Sequence, residues 1–515
     1  MENNTSSHAS TPSLTDLPTE LIVQILHALD FLKDLLRCKQ SCKLLDTVVD
    51  NNTYLQYQVR LGLNGMQDGT STKGWPVSDR LRALCEYEKG WDKLQFKEGE
   101  LIDMDADDVW DLYGNVISQT KSFSGGRLVA TQLPSRVRRV SKETWVLDKL
   151  PVRYRDFAMD VAQDLLVLME ISDLFQAETL TYYIHLRTLY AGDAHPLAIH
   201  ARLSYARAID AFTYHIRISS EYVAIEFCSV MSSTENVLCI WNWKTGQLQM
   251  EMVGLLAYNF LTDHHIMLIR HNQGGLHILD LNAVSPGGTR AENVEYVCSF
   301  LFPPLHSKLH DVEIRIDPGF SWSPDPKLAI PFSTAAGKRL VAVTLNGMMT
   351  FLIPSDTLLP HFYNLPNITS NHQIAWSDWG LKGTRAFSTF SGHSSTWCRN
   401  VYGMRFVDLI ENDDDTQTIF IADVNQTAVR KASLDSDLAI GSNEDPEHMK
   451  VILHSTTTMD LKLFKDPVTT SLPYRWKELP IISDVHYDGA MVTEDAVILV
   501  RDDTRESSSY LLLEI

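Results

Sequence analysis

The sequence predicts a multidomain chain: a small all-α unit, a helical linker and then an all-β propeller of about seven blades, with six to eight admitted by the spacing. Three observations carry this. The apolar period is helical over the first hundred residues and changes to two from about Gly125. Beyond that point come many short strand-type runs separated by turn signals. A weak internal repeat, in which a strand ends in a tight turn, recurs within this region.

The chain has 515 residues, a prior of roughly three domain-sized units. Its 44% hydrophobic and 21% charged residues are those of an ordinary globular protein and exclude wholesale disorder. Forty-five Lys and Arg against 65 Asp and Glu give a net charge of −20, which repels phosphate backbones and anionic lipid. Neither nucleic acid nor a membrane is therefore expected as a partner. The 7 cysteines are few, odd in number and without a CxxC pair, which suits a reducing compartment. The stretch 1–13 reads as a polar, disordered tail with no basic or apolar segment of a secretory signal. A cytoplasmic or nuclear location is expected, and the N-x-T triplets at Asn51, Asn367 and Asn425 read as chance matches.

The first helical unit spans 14–52. Pro18 suits the first turn of a helix and Glu20 its positive dipole end. Leu21, Ile22, Ile25, Leu26 and Leu29 fan over an arc of about 140°, wider than the ~100° stripe of a one-sided surface helix. Asp30 is placed to cap a second helix carrying Leu32, Leu35 and Leu36, and Ser41 a third carrying Leu44, Leu45, Val48 and Val49. From Leu17 to Val49, 18 of 33 residues are apolar, and a unit below ~40 residues rarely closes a core alone. The pattern predicts a helical hook that buries part of its apolar face on a partner; packing on its own chain is the competing reading.

These residues carry a resemblance. Leu17, Pro18, Glu20, Leu21, Ile25, Leu26, Leu29, Leu35, Leu36, Arg37, Cys42 and Lys43 fall on the positions of an F-box, the module that docks F-box proteins onto the Skp-type adaptor of cullin–RING ubiquitin ligases. Where many F-boxes carry Trp after the Cys-basic pair, this chain has Leu44 and Leu45. The resemblance implies adaptor contacts through Leu17, Pro18, Glu20, Leu21, Ile22, Ile25, Leu26, Leu29, Leu35, Leu36, Cys42 and Leu44. The continuation over 54–96 is similar to fungal F-box proteins, in which a helical linker joins the F-box to a β-rich domain. From periodicity, Ser78 can cap a linker helix with Leu81, Leu84 and Trp91 on one face. A span of 53–124 is expected for linker and lead-in, and the helical continuation over 54–96 reads as a rigid spacer, since a flexible linker would be richer in Gly and Ser.

The region 125–515 reads as the propeller. Its strand candidates include RDFAMD, LLVLME, TYYIHLRTL, YVAIEF, VLCIWNW, HIMLIRH, LHILDL, RLVAVTL, MMTFLI, RFVDLI, TIFIADV, AVILVR and YLLLEI. Cys239–Gly246 aligns with His277–Leu281, and Tyr183–Arg187 followed by Ala191-Gly192 is a looser copy. These resemble the apolar-Trp-Asp tail of WD-type blades. At ~45–50 residues per blade the stretch accommodates about seven or eight. Asn282–Glu292 and Leu434–His448 read as inserted loops.

The search for chemistry is mostly negative: HExxH, GxGxxG, Walker A and GxSxG strings are absent. Asp103, Asp105 and Asp107 imitate a calcium loop, but Asp108 and Gly114 stand where Gly and Glu are needed. His306, His310 and Asp311 have i,i+4 metal spacing within what reads as loop and strand. Arg136, Arg138, Arg139 and Lys142 form a compact basic cluster, read as an anion clamp or a solvated face. Cys38 and Cys42 read as buried thiols. No cofactor and no catalysis are expected. What the resemblance implies is a substrate-recognition subunit of a Skp–cullin–F-box ubiquitin ligase, with the propeller holding an unknown protein substrate. The alternatives are a propeller enzyme or metal-binding protein with an unrelated helical N-terminus, and an F-box scaffold acting outside ubiquitination.

Overall fold

A computed structural model describes residues 13–29, 32–69, 73–105, 108–121, 126–148, 150, 152, 154–171, 179–208, 211–229, 235–284, 294–363, 371–389, 399–438, 448–481, 485–503 and 507–515. Most of the tail expected over 1–13, and Asp30, lie outside them. The chain opens with a short 3-10 turn (Leu14–Asp16) and five helices: α1 (Thr19–His27), α2 (Leu32–Ser41), α3 (Lys43–Asn51), α4 (Thr53–Asn64) and α5 (Val77–Lys93). Pro18 precedes α1 as its cap, one residue outside the expected position. Ser41 does not cap α3; its hydroxyl donates to the Cys38 carbonyl at 2.7 Å, and Cys42 takes the cap position without a side-chain bond. Asn52 caps α4 by accepting from the Tyr54 and Leu55 N–H groups. Gly65, at φ 67°, ends α4 in the left-handed region where a Cβ is costly. Ser78 sits inside the first turn of α5, whose cap is Pro76.

α1 to α4 enclose a small core of Ile22, Leu26, Leu35, Leu45, Val48, Val49 and Leu55. His27 stacks on Tyr54 with ring centroids 4.1 Å apart, fixing α1 on α4. A Cβ on Gly62 would lie 2.7 Å from the Leu32 Cβ, so glycine permits the close crossing of α2 and α4.

The rest is a closed ring of seven antiparallel blades. Blades 1 to 3 are four-stranded and run in chain order over 108–147, 154–208 and 211–253. Blade 4 (255–301) gains a fifth strand, His372–Ile374, paired in parallel with Cys298–Phe300. Blade 5 takes Val312–Arg315, Leu340–Leu345, Met349–Pro354 and Arg385–Ser388. Blade 6 runs from Val401 to Pro480, with Lys450–Ile452 on its outer edge. Blade 7 is built from both ends of the domain. Gly489–Val492, Ala496–Asp503 and Ser507–Glu514 are its inner strands, and Lys97–Asp105 is its outermost, with Ile102 opposite Tyr510. This closure removes the free edge that an open ring would leave.

The propeller therefore begins at Lys97, and the 53–124 span holds blade strands as well as the two linker helices. Lys97–Asp105 reads KEGELIDMD, in which glycine and carboxylates mask the alternation. The weak repeat marks one place in three successive blades: Tyr183–Arg187, Val237–Asn242 and Gly275–Asp280 are each third strands. After the second of these, Asn242 Oδ1 accepts from Lys244 and Thr245, and Gly246 takes φ 77°. Leu434 belongs to a helix, Gln426–Leu438, rather than to an inserted loop; 285–293 and 439–447 lie outside the described residues.

Candidate functional site

On α1, Leu21 and Ile25 are one turn apart and both are 44% exposed. Leu14, before α1, and Leu44, on the adjoining α3, are 38% and 41% exposed. Pro18 and Glu20 are exposed beside them, and Leu17, Leu29, Leu36 and Cys42 are half-buried. Ile22, Leu26 and Leu35 point inward, at 1%, 1% and 2% exposure, and pack the module's own core. The twelve residues thus divide by direction. The wide apolar arc of α1 has an inner side that closes the hook and an outer side left in water. Leu14 was not singled out from sequence because it precedes the periodic run, and the extended backbone at Leu17 and Pro18 means that no helical spacing links it to Leu21.

The outward face is carried on a stiff mount. The strand Met66–Asp68 pairs with Phe332–Thr334, and the Tyr57 hydroxyl donates to the Pro331 carbonyl at 2.8 Å and to Asp68 at 3.0 Å. Burial, with Asp68 adding, pushes the Tyr57 phenol well above its usual range. Arg80 of α5 reaches the same carboxylate at 2.6 and 2.7 Å. Glu88 of α5 bonds Arg60 of α4 at 2.5 Å and Lys431 of the Gln426–Leu438 helix. Burial alone would raise the Glu88 carboxyl, but these two cations outweigh it and hold it below the ordinary carboxylate value.

Deeper in, α5 lies on blades 6 and 7. Tyr87 donates to Glu494 at 3.2 Å, and the Trp91 indole N–H donates to the Glu494 carbonyl at 3.2 Å. Arg405 of blade 6 bonds the Tyr87 hydroxyl at 2.7 Å and lies 4.1 Å over the Trp91 ring. Tyr57, Leu84, Tyr87 and Trp91 share one buried cluster with Phe332, Val407, Ile421 and Val497 of the propeller. The sequence-predicted face of α5 with Leu84 and Trp91 is therefore a docking face on this same chain.

The other motifs do not assemble into a site. Asp103 and Asp105 lie in an extended strand, which cannot curl around calcium, and Asp107 is outside the described residues. His306 and His310 lie in a non-helical segment, where i,i+4 spacing does not bring side chains together. The basic cluster is split. Arg138 is 2% exposed and donates from Nε and Nη2 to the single oxygen Asp495 Oδ2, Arg139 lies 4.2 Å over Trp75, and Arg136 and Lys142 are exposed. Cys38 and Cys42 are partly buried against the hook core. Two clusters that sequence reasoning missed are His215, Glu226 and Cys228, and His264, His265 and Asp280. Each joins residues of different strands, so only strand register reveals it. Among the described residues no helix is long and apolar enough to cross a membrane.

Comparison with known proteins agrees with the N-terminal reading. Residues 14–61 match the F-box-like family model. The chain thus combines an F-box-like module with a seven-bladed β-propeller. Solved structures similar to it include the WD40 domain of SCAP from fission yeast, at 9% identity and a TM-score of 0.36 over 81% of this chain and 98% of that one. The Cps50 (Swd1) β-propeller domain of Myceliophteria thermophila is also similar, at 9% identity and a TM-score of 0.34 over 81% and 99%. Hsv2 of Kluyvelomyces marxianus aligns at 9% identity and a TM-score of 0.30 over 79% and 92%. No curated protein matches the sequence.

Proposed function

We propose that this chain is the substrate-recognition subunit of a Skp–cullin–F-box type ubiquitin ligase. The outward face of α1 and α3 docks on the Skp-type adaptor and through it a cullin, and the propeller holds a protein substrate. The observation that carries the reading is the set of large apolar side chains, Leu14, Leu21, Ile25 and Leu44, left in water on an F-box-like module. Burying such a face gives about 25 cal/mol per Å² of apolar area, so four side chains can anchor a partner. The chain supplies proximity rather than bond chemistry, holding substrate near a ubiquitin-charged partner.

Co-purification of the full chain with adaptor and cullin tests this. Leu21→Glu with Ile25→Glu places two charges on the outer face and leaves the inner packing of Ile22 and Leu26 intact. A complex lost in that variant, with an unchanged thermal melt, is the expected result. A complex that survives it would sink the assignment of this face, and no complex with the unaltered chain would sink the function.

A further inference from the structure

His215 lies on the innermost strand of blade 3 (Ala211–Ser219), directly opposite Glu226 on the second (Tyr222–Ser229). Cys228 follows Glu226 by two residues and so projects from the same side of the strand. The three donor atoms lie within 4.8 Å of one another. Glu226 Oε2 is 3.0 Å and Cys228 Sγ 4.0 Å from His215 Nδ1. In a tetrahedral zinc site, bonds of about 2.0–2.3 Å place nitrogen and oxygen about 3.4 Å apart and nitrogen and sulfur about 3.6 Å apart. The observed nitrogen–oxygen separation is shorter and the nitrogen–sulfur separation longer than these values, each by about 0.4 Å, so the side chains close on an ion only with a small shift.

We propose that His215 Nδ1, Glu226 Oε2 and Cys228 Sγ form a binding site for a divalent cation of the zinc class, facing blade 4. The ligand set is one imidazole, one carboxylate and one thiolate, the borderline-soft combination that selects zinc over magnesium or calcium. Three protein ligands leave the fourth position to water or to a side chain of a bound partner. The supports around the ligands are in place. Glu226 is 2% exposed, and its other oxygen, Oε1, accepts from Asn236 Nδ2 at 3.2 Å, which aims Oε2 at the histidine. Asn236 is held in turn by the Ser229 N–H, at 2.9 Å. The Tyr258 hydroxyl of blade 4 donates to the His215 carbonyl at 2.7 Å and pins the inner strand.

The second cluster is a poorer candidate: it has no thiol, and His265 Nδ1 is taken by the Thr262 hydroxyl at 2.8 Å.

The test uses the full chain, free of any affinity tag and stripped with chelator, titrated with Co²⁺ and Zn²⁺. One Co²⁺ per chain, with thiolate-to-metal absorption in the near ultraviolet and tetrahedral bands in the visible, is expected. Cys228→Ser should lose the thiolate band. Asn236→Ala, which frees the Glu226 carboxylate to turn, should weaken binding by about 10–100-fold. Absence of stoichiometric binding, or a thiolate band that persists in Cys228→Ser, overturns the site. A readout without any variant is alkylation of Cys228 in the unaltered chain. Zn²⁺ should suppress it and chelator restore it; alkylation indifferent to Zn²⁺ also overturns the proposal.

Discussion

Leu26 and Leu21 occupy opposite sides of one nine-residue helix, at 1% and 44% exposure. A core leucine in a small cluster has few neighbours that can collapse into the space it leaves. Leu26→Ala is expected to cost about 2–5 kcal/mol, against about 0.5 kcal/mol or less for Leu21→Ala. Chemical denaturation followed by the helical circular dichroism of the N-terminal module reads the difference. Equal effects of the two changes would mean that α1 does not present these faces. Asp317 supplies a second residue-scale expectation. Burial, with the Asp111 charge adding and Arg399 opposing, pushes its carboxyl up to about 7. Asp156 is likewise raised to about 7, by burial first. An unfolded aspartate titrates near 3.9. These groups therefore contribute stability that is complete below about pH 4 and is lost as the pH rises through about 7. Asp317→Asn removes one titration, so its urea midpoint should fall less than that of the unaltered chain between pH 4 and 8. Parallel curves for the two proteins would contradict the shift.

At the scale of elements, the strand Lys97–Asp105 does what its composition conceals. The tail YLLLEI reads as a strand from its own residues, but a strand needs neighbours, and one of them lies some 400 residues earlier in the chain. Local pattern reports local conformation; it does not report closure. The same holds for α5. Leu84 and Trp91 on one face were legible from a helical period, whereas Glu494 and Arg405, which receive that face, are distant polar residues with no pattern of their own. Likewise the arc on α1 was legible, but its division into inner and outer sides required the positions of α2 to α4. Ile102→Pro in the full chain disrupts the ladder to Ser507–Glu514 and keeps the helices in place. The variant should leave Ser507–Glu514 as an open edge and aggregate at lower temperature. Aggregation identical to that of the unaltered chain would mean that the ring closes without this pairing. A buried tie between blades 1 and 7 gives another test at this scale. Asp495→Ala strands the Arg138 guanidinium, 2% exposed, at an expected cost of about 3–5 kcal/mol.

For the molecule as a whole, the arrangement replaces a tether with a mount. α4 and α5 bury their apolar faces on the propeller, the pair Glu88–Lys431 and the bond from Tyr57 to Pro331 cross the same junction, and Arg80–Asp68 braces α5 on the strand that precedes it. A core shared in this way makes α4, α5 and the propeller melt together, without a separate transition for the two linker helices. Under the proposed function the mount also has a kinetic meaning. A flexible tether would sample many separations between adaptor and substrate, whereas a fixed one holds the substrate at one distance from the charged partner. Asp68→Ala combined with Glu88→Ala removes carboxylates that serve Tyr57, Arg80, Arg60 and Lys431, and touches neither the outer face of α1 nor blades 1 to 5. Adaptor affinity and substrate affinity should both stay within about twofold, since neither surface is altered. Ubiquitin transfer to substrate should fall by more than either affinity, and limited proteolysis should cut faster between α4 and α5. If transfer is unchanged while proteolysis accelerates, the stiffness of the mount has no part in the reaction, and its contacts serve stability alone.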